Sequence, residues 1–335
     1  MDRREDFPRS SPFYKVTPSV EDVRYFCERY DIGELVTVHG GLGGFLNVNL
    51  KVETTTGLYA IKVLTGFATV EHIEFTRRVI AVLRDAGIPT LRPMETPSGR
   101  PYIRWNGRFV TVSPFAPGHA FRNRVRHARA SGRMLRRFHD TLTNQECGPV
   151  PAWSDYPSQE ILIEGLRRLR ALNIPADEIA DAERLHEMVM SRWSAVCLDL
   201  PQTIIHGDWH PGNQLYLNGK VSCILDFDFI QCAERLHDVA YALWSLMPGN
   251  TSRSLSKAFL EGYGPLERIE QTELPLAIAR AALFFVCSAS FTLHPDEELR
   301  VQLARQGPLI EWLLSPSGMS AIHRLLPPES LRRAA

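Results

Sequence analysis

The sequence predicts an α+β protein in two unequal parts, a small antiparallel β-rich N-terminal part and a larger helical C-terminal part. Three observations predict it. Strand-length apolar runs separated by turn dipeptides crowd residues 34–113. A Pro/Gly-rich stretch, Pro114-Phe115-Ala116-Pro117-Gly118, follows. From about residue 128 onward most segments carry the helical period, with residues 202–230 the exception. A chain of 335 residues has room for two or three domains, or one large two-part enzyme.

The elements follow in order. Residues 1–16 read as a flexible leader. Thr17-Pro18 then reads as an N-cap with Pro in the first helical position, and the helix runs to about Tyr30 with Gly33 beyond its end. Strands are expected at Glu34–His39, Phe45–Thr54 and Leu58–Leu64, the last two joined by Thr55-Thr56-Gly57. A helical stripe covers Thr69–Ala86, and Gly87 and Pro89 stop it. Leu91–Thr96, Tyr102–Trp105 and Arg108–Ser113 read as strands, with Asn106-Gly107 a hairpin turn between the last two. That makes a sheet of five or six strands over 17–113, a hinge at 114–118, and a helical part at 119–335. Helices are expected at 128–142, 159–172, 176–197, 235–247, 251–263, 272–293 and 296–313. A second hairpin, Gln214–Leu217 and Lys220–Leu225, turns at Asn218-Gly219.

Composition removes several classes of function. Hydrophobic residues are 44% and charged residues 23%, which excludes wholesale disorder. Lys+Arg and Asp+Glu are 38 each, so no basic surplus points to nucleic acid. Only five of those cations are Lys, which makes each Lys worth inspecting. Six scattered Cys form no CxxC pair and no zinc spacing, and reduced thiols are the simpler reading. The charged N-terminus lacks the apolar core of a secretory signal. Leu274–Leu293 has the length of a membrane span, but Pro275, Arg280 and three hydroxyl residues inside it favour a buried core helix. The expected compartment is the cytoplasm, with no membrane or nucleic-acid partner; a homodimer is compatible with the sequence.

The chemistry is concentrated in His206-Gly207-Asp208-Trp209-His210-Pro211-Gly212-Asn213 and Ile224-Leu225-Asp226-Phe227-Asp228. Phosphoryl transfer needs a carboxylate to orient a hydroxyl and oxygen ligands for a divalent cation. Asp208 and Asn213 have the D-x-x-x-x-N spacing of a kinase catalytic loop. Asp226 follows Asn213 across the second hairpin, whose folding should bring the two together. Singly, each of these residues is an ordinary turn or capping residue. The coincidence of both spacings carries the catalytic reading.

HGDWHPGN followed by ILDFD resembles the aminoglycoside-phosphotransferase and choline-kinase branch of the protein-kinase-like fold. FLEGYGPLERIE at 259–270 is similar to homoserine-kinase-like and spore-coat-kinase-like members. The resemblance implies a bilobed kinase fold over roughly residues 30–300, with ATP and Mg²⁺ as cofactors. It implies Lys62 as the phosphate-binding lysine of the third strand, paired with Glu74, or alternatively Glu71. It implies a phosphate loop around Gly43, Gly44, Asn47 and Asn49, and a hinge at Ser113 and Phe115 facing the adenine edge. A Rossmann reading of the glycines fails because a strand follows them, and no Walker A motif is present.

The expected activity is transfer of the γ-phosphoryl group to the hydroxyl of a small molecule, such as an aminoglycoside, amino-alcohol, homoserine or sugar. Asp208 is the catalytic residue, and Asn213 and Asp226 are metal ligands. Asp228 is a third ligand, a substrate contact or a structural residue. His206 is expected to shape the loop, His210 to position backbone, and Asp238 to brace the loop. The Arg122–Arg137 cluster reads as a solvated helix face. Asp155, Glu160 and Glu164 are acidic residues that would suit a cationic acceptor. A protein Ser/Thr kinase and a non-catalytic nucleotide-binding pseudokinase are the alternatives.

Overall fold

A computed structural model describes residues 7, 11–44, 46–247 and 252–327. The chain divides into two compact units. One is Met1–Gly118 with Gly148–Trp153 and Cys223–Leu225; the other is His119–Cys147, Ser154–Ser222 and Asp226–Ala335.

The first unit opens with α1 (Val20–Tyr30), which starts at Ser19 rather than at the expected Thr17. Ser19 Oγ accepts from the Asp22 N–H, and the Asp22 carboxylate accepts from the Ser19 N–H, at 3.2 and 2.8 Å. This reciprocal cap satisfies two donors at once, which Thr17-Pro18 does not. The strands are β1 (Leu35–Gly41), β2 (Val48–Thr54) and β3 (Gly57–Val63). After α2 (Val70–Asp85) come β4 (Ile103–Trp105) and β5 (Arg108–Pro114). They form one five-stranded antiparallel sheet in the order β1-β2-β3-β5-β4. Alternation along β2, β3 and β5 turns Val52, Ile61, Val110 and Val112 onto Val23, Phe26 and Tyr30 of α1. Residues 91–96 are not a strand. Pro93 has no N–H to give a ladder, and Met94 reaches the sheet through one bond, to Val112 O at 2.7 Å. Residues 1–6 and 8–10 of the expected leader lie outside the described residues. Its remainder is tied to the unit: Gly66 N–H donates to Pro12 O, and Lys15 Nζ donates to Gly44 O at 2.9 Å.

The second unit holds α3 (Val125–Leu142), α4 (Gln159–Arg170), α5 (Ala176–Trp193), α6 (Leu236–Leu246), α7 (Ser252–Tyr263), α8 (Arg268–Ser288), α9 (Pro295–Leu314) and α10 (Pro316–His323). Seven of these match expected helices to within a few residues; α10 was not expected. Four short strands lie among them: β6 (Gln202–Ile205), β7 (Gln214–Leu217), β8 (Lys220–Ile224) and β9 (Gln231–Glu234). β7 and β8 form the expected hairpin, with Asn218 and Gly219 at φ 52° and 77°. The antiparallel β6–β9 ribbon was not foreseen. The apolar segment is the core helix α8, with 78% of its most apolar window buried. Arg280 within it ion-pairs with Glu234 at 2.5 Å.

One sequence expectation is overturned here. Cys147 and Cys232 form a disulfide, with Cα atoms 5.7 Å apart, while Cys27, Cys197, Cys223 and Cys287 are free. β9 carries Cys232 to the segment that follows α3, an approach that scattered spacing does not reveal.

Candidate active site

The catalytic-loop box lies between β6 and β7. β6 delivers His206, Gly207 and Asp208; β9, which follows the Asp226-Phe227-Asp228 box, pairs along β6 from Gln202↔Glu234 to Ile205↔Gln231. One ribbon therefore roots both boxes.

The loop is held from below by Asp238, in the first turn of α6. Its carboxylate accepts from the N–H groups of His206 and Gly207, at 2.8 and 2.9 Å. His139 Nε2 lies 3.0 Å from the same carboxylate, and Tyr263 Oη lies 2.9 Å from His139 Nδ1. Burial alone would raise Asp238, but hydrogen bonding and charge from His139, with His237 and His206, outweigh it and hold the carboxyl below its usual range. Gly207 has φ 80°, and a Cβ there would collide with Phe229 O. Glycine in this position lets the two boxes pack backbone against backbone. Trp209 is fully buried and donates from Nε1 to Ser131 Oγ at 3.1 Å. The His206 ring is fully buried and meets Trp209 and Phe227 at 5.4 and 5.2 Å between centroids.

On this footing Asp208 is 9% exposed. Asn213 Nδ2 donates to Asp208 Oδ2 at 2.7 Å and to Asp208 O at 3.1 Å. Oδ1 is buried, and no hydrogen-bond donor of good geometry reaches it among the described residues. His210 Nε2 is its neighbour at 3.5 Å, while His210 Nδ1 accepts from the Gly212 N–H. Burial opposes charge on His210; Asp208 first, then Asp226 and Asp155, more than offset this and raise its pKa. Asp226 has φ 62°, and it and Asp228 are half-buried. A half-charged amide oxygen and two carboxylates are the hard donors that suit Mg²⁺. Among the described residues no three His, Cys, Asp or Glu side chains form a preassembled cation cage.

The first unit places the other expected residues. Lys62 is the next-to-last residue of β3, the middle strand of the sheet, opposite Asn49 on β2 and Thr111 on β5. Glu74 lies on α2 and accepts from Arg77 Nε, one turn along, at 2.9 Å. Glu71 is exposed in the first turn. Asn47 is buried and its Oδ1 accepts from the Thr65 N–H, at 3.0 Å. Asn49 Nδ2 donates to Gly43 O at 3.0 Å and so folds the glycine loop. Phe45 within that loop lies outside the described residues. Gly44 has φ 122°, and a Cβ there would sit 2.6 Å from Asn49 Nδ2. Ser113 is paired with Ala60, and the Phe115 N–H donates to Leu58 O at 2.9 Å. The Phe115 N–H is thus taken up by the ladder, and its carbonyl is the backbone group left to offer there.

Tyr241, Trp244 and Phe285 stand out only in three dimensions. Tyr241 Oη donates to Asp155 Oδ2 at 3.3 Å, and Trp244 stacks on Phe285 at 4.3 Å between centroids. Tyr241 and Trp244 share one face of α6, a signal visible in the sequence only as apolar periodicity.

The fold and the loop define a phosphotransferase of the kinase-like class. A family model described as the phosphotransferase enzyme family matches residues 37–275, and the chain belongs to that family. A protein named homoserine kinase from Bradyrhizobium sp. (strain BTAi1) is 25% identical over 313 residues, covering 90% of this chain and 87% of its own. Another homoserine kinase, from Caulobacter vibrioides, is 27% identical over 278 residues, 79% of this chain and 84% of its own. Among solved structures, a microcompartment-associated aminopropanol kinase aligns with a TM-score of 0.74 at 15% identity, over 90% of this chain and 100% of that one. An amicoumacin kinase in complex with AMP-PNP, Ca²⁺ and Ami gives a TM-score of 0.68 at 16% identity, over 95% and 98%. These likenesses bear out the expected bilobed α+β kinase fold, and the protein is a small-molecule kinase that phosphorylates a hydroxyl.

Proposed function

We propose that this protein transfers the γ-phosphoryl group of ATP, with Mg²⁺, to the hydroxyl of a small metabolite. The acceptor oxygen bonds to the γ-phosphorus as the bond to the ADP oxygen breaks. Asp208 orients the hydroxyl and takes its proton, and no phospho-enzyme forms. Asn213 and Asp226, with Asp228 as a further oxygen donor, would hold Mg²⁺, which supplies charge neutralisation on the phosphates. Lys62 offers a point charge to the α/β-phosphates, and Glu74 orients it after exchanging its Arg77 partner. Gly43 and Gly44 admit the phosphates to backbone N–H groups, and Asn47 and Asn49 keep the loop in shape. Ser113 and the Phe115 carbonyl border the adenine.

The observation that carries this reading is the state of Asp208. Asn213 clamps one carboxylate oxygen at 2.7 Å, and the other is buried beside the His210 ring, whose Nε2 lies 3.5 Å away, with no hydrogen bond of good geometry among the described residues. An unsatisfied buried carboxylate oxygen is costly unless a ligand completes it. The homoserine kinase relatives, matched over 87% and 84% of their own lengths, favour a small metabolite over a protein acceptor. The test is ADP formation with Mg²⁺ across a panel of alcohols and a peptide mixture, with phosphoryl transfer read by mass. Turnover of peptides alone would favour a protein kinase. Nucleotide binding without any turnover would favour a pseudokinase.

A further inference from the structure

Residues 11–15 precede α1 in sequence and carry no helix or strand, yet the first unit holds them firmly. They begin with a turn. The Tyr14 N–H donates to Ser11 O at 3.0 Å, and the Phe13 N–H donates to Ser11 Oγ at 3.2 Å. Phe13 meets the rings of Phe67 and Trp153 edge-on, at 4.9 and 5.0 Å between centroids. Phe67 and Trp153 stack on each other at 5.7 Å, so the three rings make one cluster. Arg108, the first residue of β5, donates from Nη2 to Tyr14 O at 3.1 Å. Ordering a segment costs conformational entropy, and these contacts offset it.

The same segment is tied to the glycine loop at two levels. At the tip, Lys15 Nζ donates to Gly44 O at 2.9 Å. At the foot the tie runs through the connection that follows β3. There the Gly66 N–H donates to Pro12 O at 3.2 Å, and the adjacent Thr65 N–H donates to Asn47 Oδ1 at 3.0 Å. The seat is close-fitting. A Cβ on Gly66 would collide with Arg108 Nη1 and lie 3.0 Å from Pro12 Cα. Glycine at 66 lets the segment lie directly on the connection.

We propose that residues 11–15 are a strap that positions the glycine loop for nucleotide, with Phe13 as its anchor and Lys15 as its grip. Both are positioning residues. A loop held in shape before its ligand arrives has less freedom to lose on binding, so the strap acts on nucleotide affinity. The acceptor and the phosphoryl-transfer step lie outside its reach. The assignment rests on the reading of Gly43 and Gly44 as the phosphate loop.

The experiment uses the full-length protein, with AMP-PNP and Mg²⁺ in calorimetry and ATP in steady-state kinetics. Phe13→Ala should raise the Kd of AMP-PNP and the KM for ATP about 3- to 10-fold, the range of a hydrogen bond or two at a surface. The kcat at saturating ATP and the KM of the acceptor should not move. Phe13→Tyr keeps the ring and should keep the affinity. Gly66→Ala alters neither strap nor loop, and should weaken AMP-PNP by unseating Pro12. Lys15→Ala should cost about threefold in the wild type and nothing further in the Phe13→Ala background, because groups that act in series are not additive. A Phe13→Ala variant with wild-type affinity overturns the proposal. So does one in which Lys15→Ala again costs its full threefold, or one that shifts the acceptor KM equally. Should Phe13→Ala fail to fold, Gly66→Ala with Lys15→Ala completes the same cycle. Normal AMP-PNP binding that no variant moves would break the strap and leave phosphotransfer standing. Shifted AMP-PNP binding with no alcohol turned over would keep the strap and break phosphotransfer. Absence of AMP-PNP binding would break both.

Discussion

The glycine loop of the first unit and the catalytic loop of the second are built on opposite principles. Gly41–Gly44 are exposed, and the loop is held by a few surface bonds: Asn49 to Gly43, Leu42 to Asn49, and Lys15 to Gly44. Residues 206–209 are buried and fixed from several sides by Asp238, His139, Ser131 and Phe227. On the function proposed above, the difference fits different work for each. A loop that admits and releases a nucleotide would be left able to adjust. A carboxylate that meets a proton in one geometry would be set in place before the ligand arrives.

This contrast can be broken in order of effect. Asp208→Ala should lower kcat by about 10²–10⁴ with an unchanged melting curve, because positioned proton acceptors are worth about that much; a smaller loss in ADP-release kinetics would move the base elsewhere. Asp238→Ala should cost about 3–5 kcal/mol in denaturant unfolding, because it strips a buried partner from His139 and from two backbone N–H groups. Lys62→Met should raise the KM for ATP about 10- to 100-fold and leave the KM of the acceptor in place, which steady-state kinetics with each substrate varied would read. Lys15→Ala should weaken ATP only about threefold, since one exposed bond to a carbonyl is at stake. If Lys15 mattered as much as Asp238, the loop would not be the adjustable element that its exposure implies.

The brace also carries a pH signature. The folded-state pKa of Asp238 is depressed, so its contribution to stability is complete above the unfolded value of 3.8 and is lost as pH falls through the lower folded value. Asp238→Asn should flatten the acid limb of stability against pH. An acid limb identical to that of the wild type in urea melts at pH 2–5 would remove Asp238 from that role.

What the sequence made legible follows from the range of the interactions involved. Asn106-Gly107 and Asn218-Gly219 were readable because the turn needs positive φ at both positions, and the structure has 44°, 71°, 52° and 77° there. The Asp208 and Asn213 spacing was readable because a five-residue loop closes on itself, side chain to side chain. The β6–β9 ribbon was not, since two four-residue strands separated by 25 residues leave no local pattern. The same holds for Asp155 beside Tyr241, 86 positions apart. Leu91–Thr96 is not a strand because Pro93, at its middle, has no N–H for a ladder. Asp238 was named as a brace, but its partners, His139 and two backbone donors, depend on how α3 and β6 pack.

The Cys147–Cys232 bridge has a consequence for handling the protein. It joins residues 85 positions apart, and the interval holds the whole catalytic loop. A single protease cut anywhere in that interval leaves both pieces covalently attached. A nicked preparation therefore runs as one intact band on a non-reducing gel and separates only when thiol is added, so integrity has to be judged with reductant present.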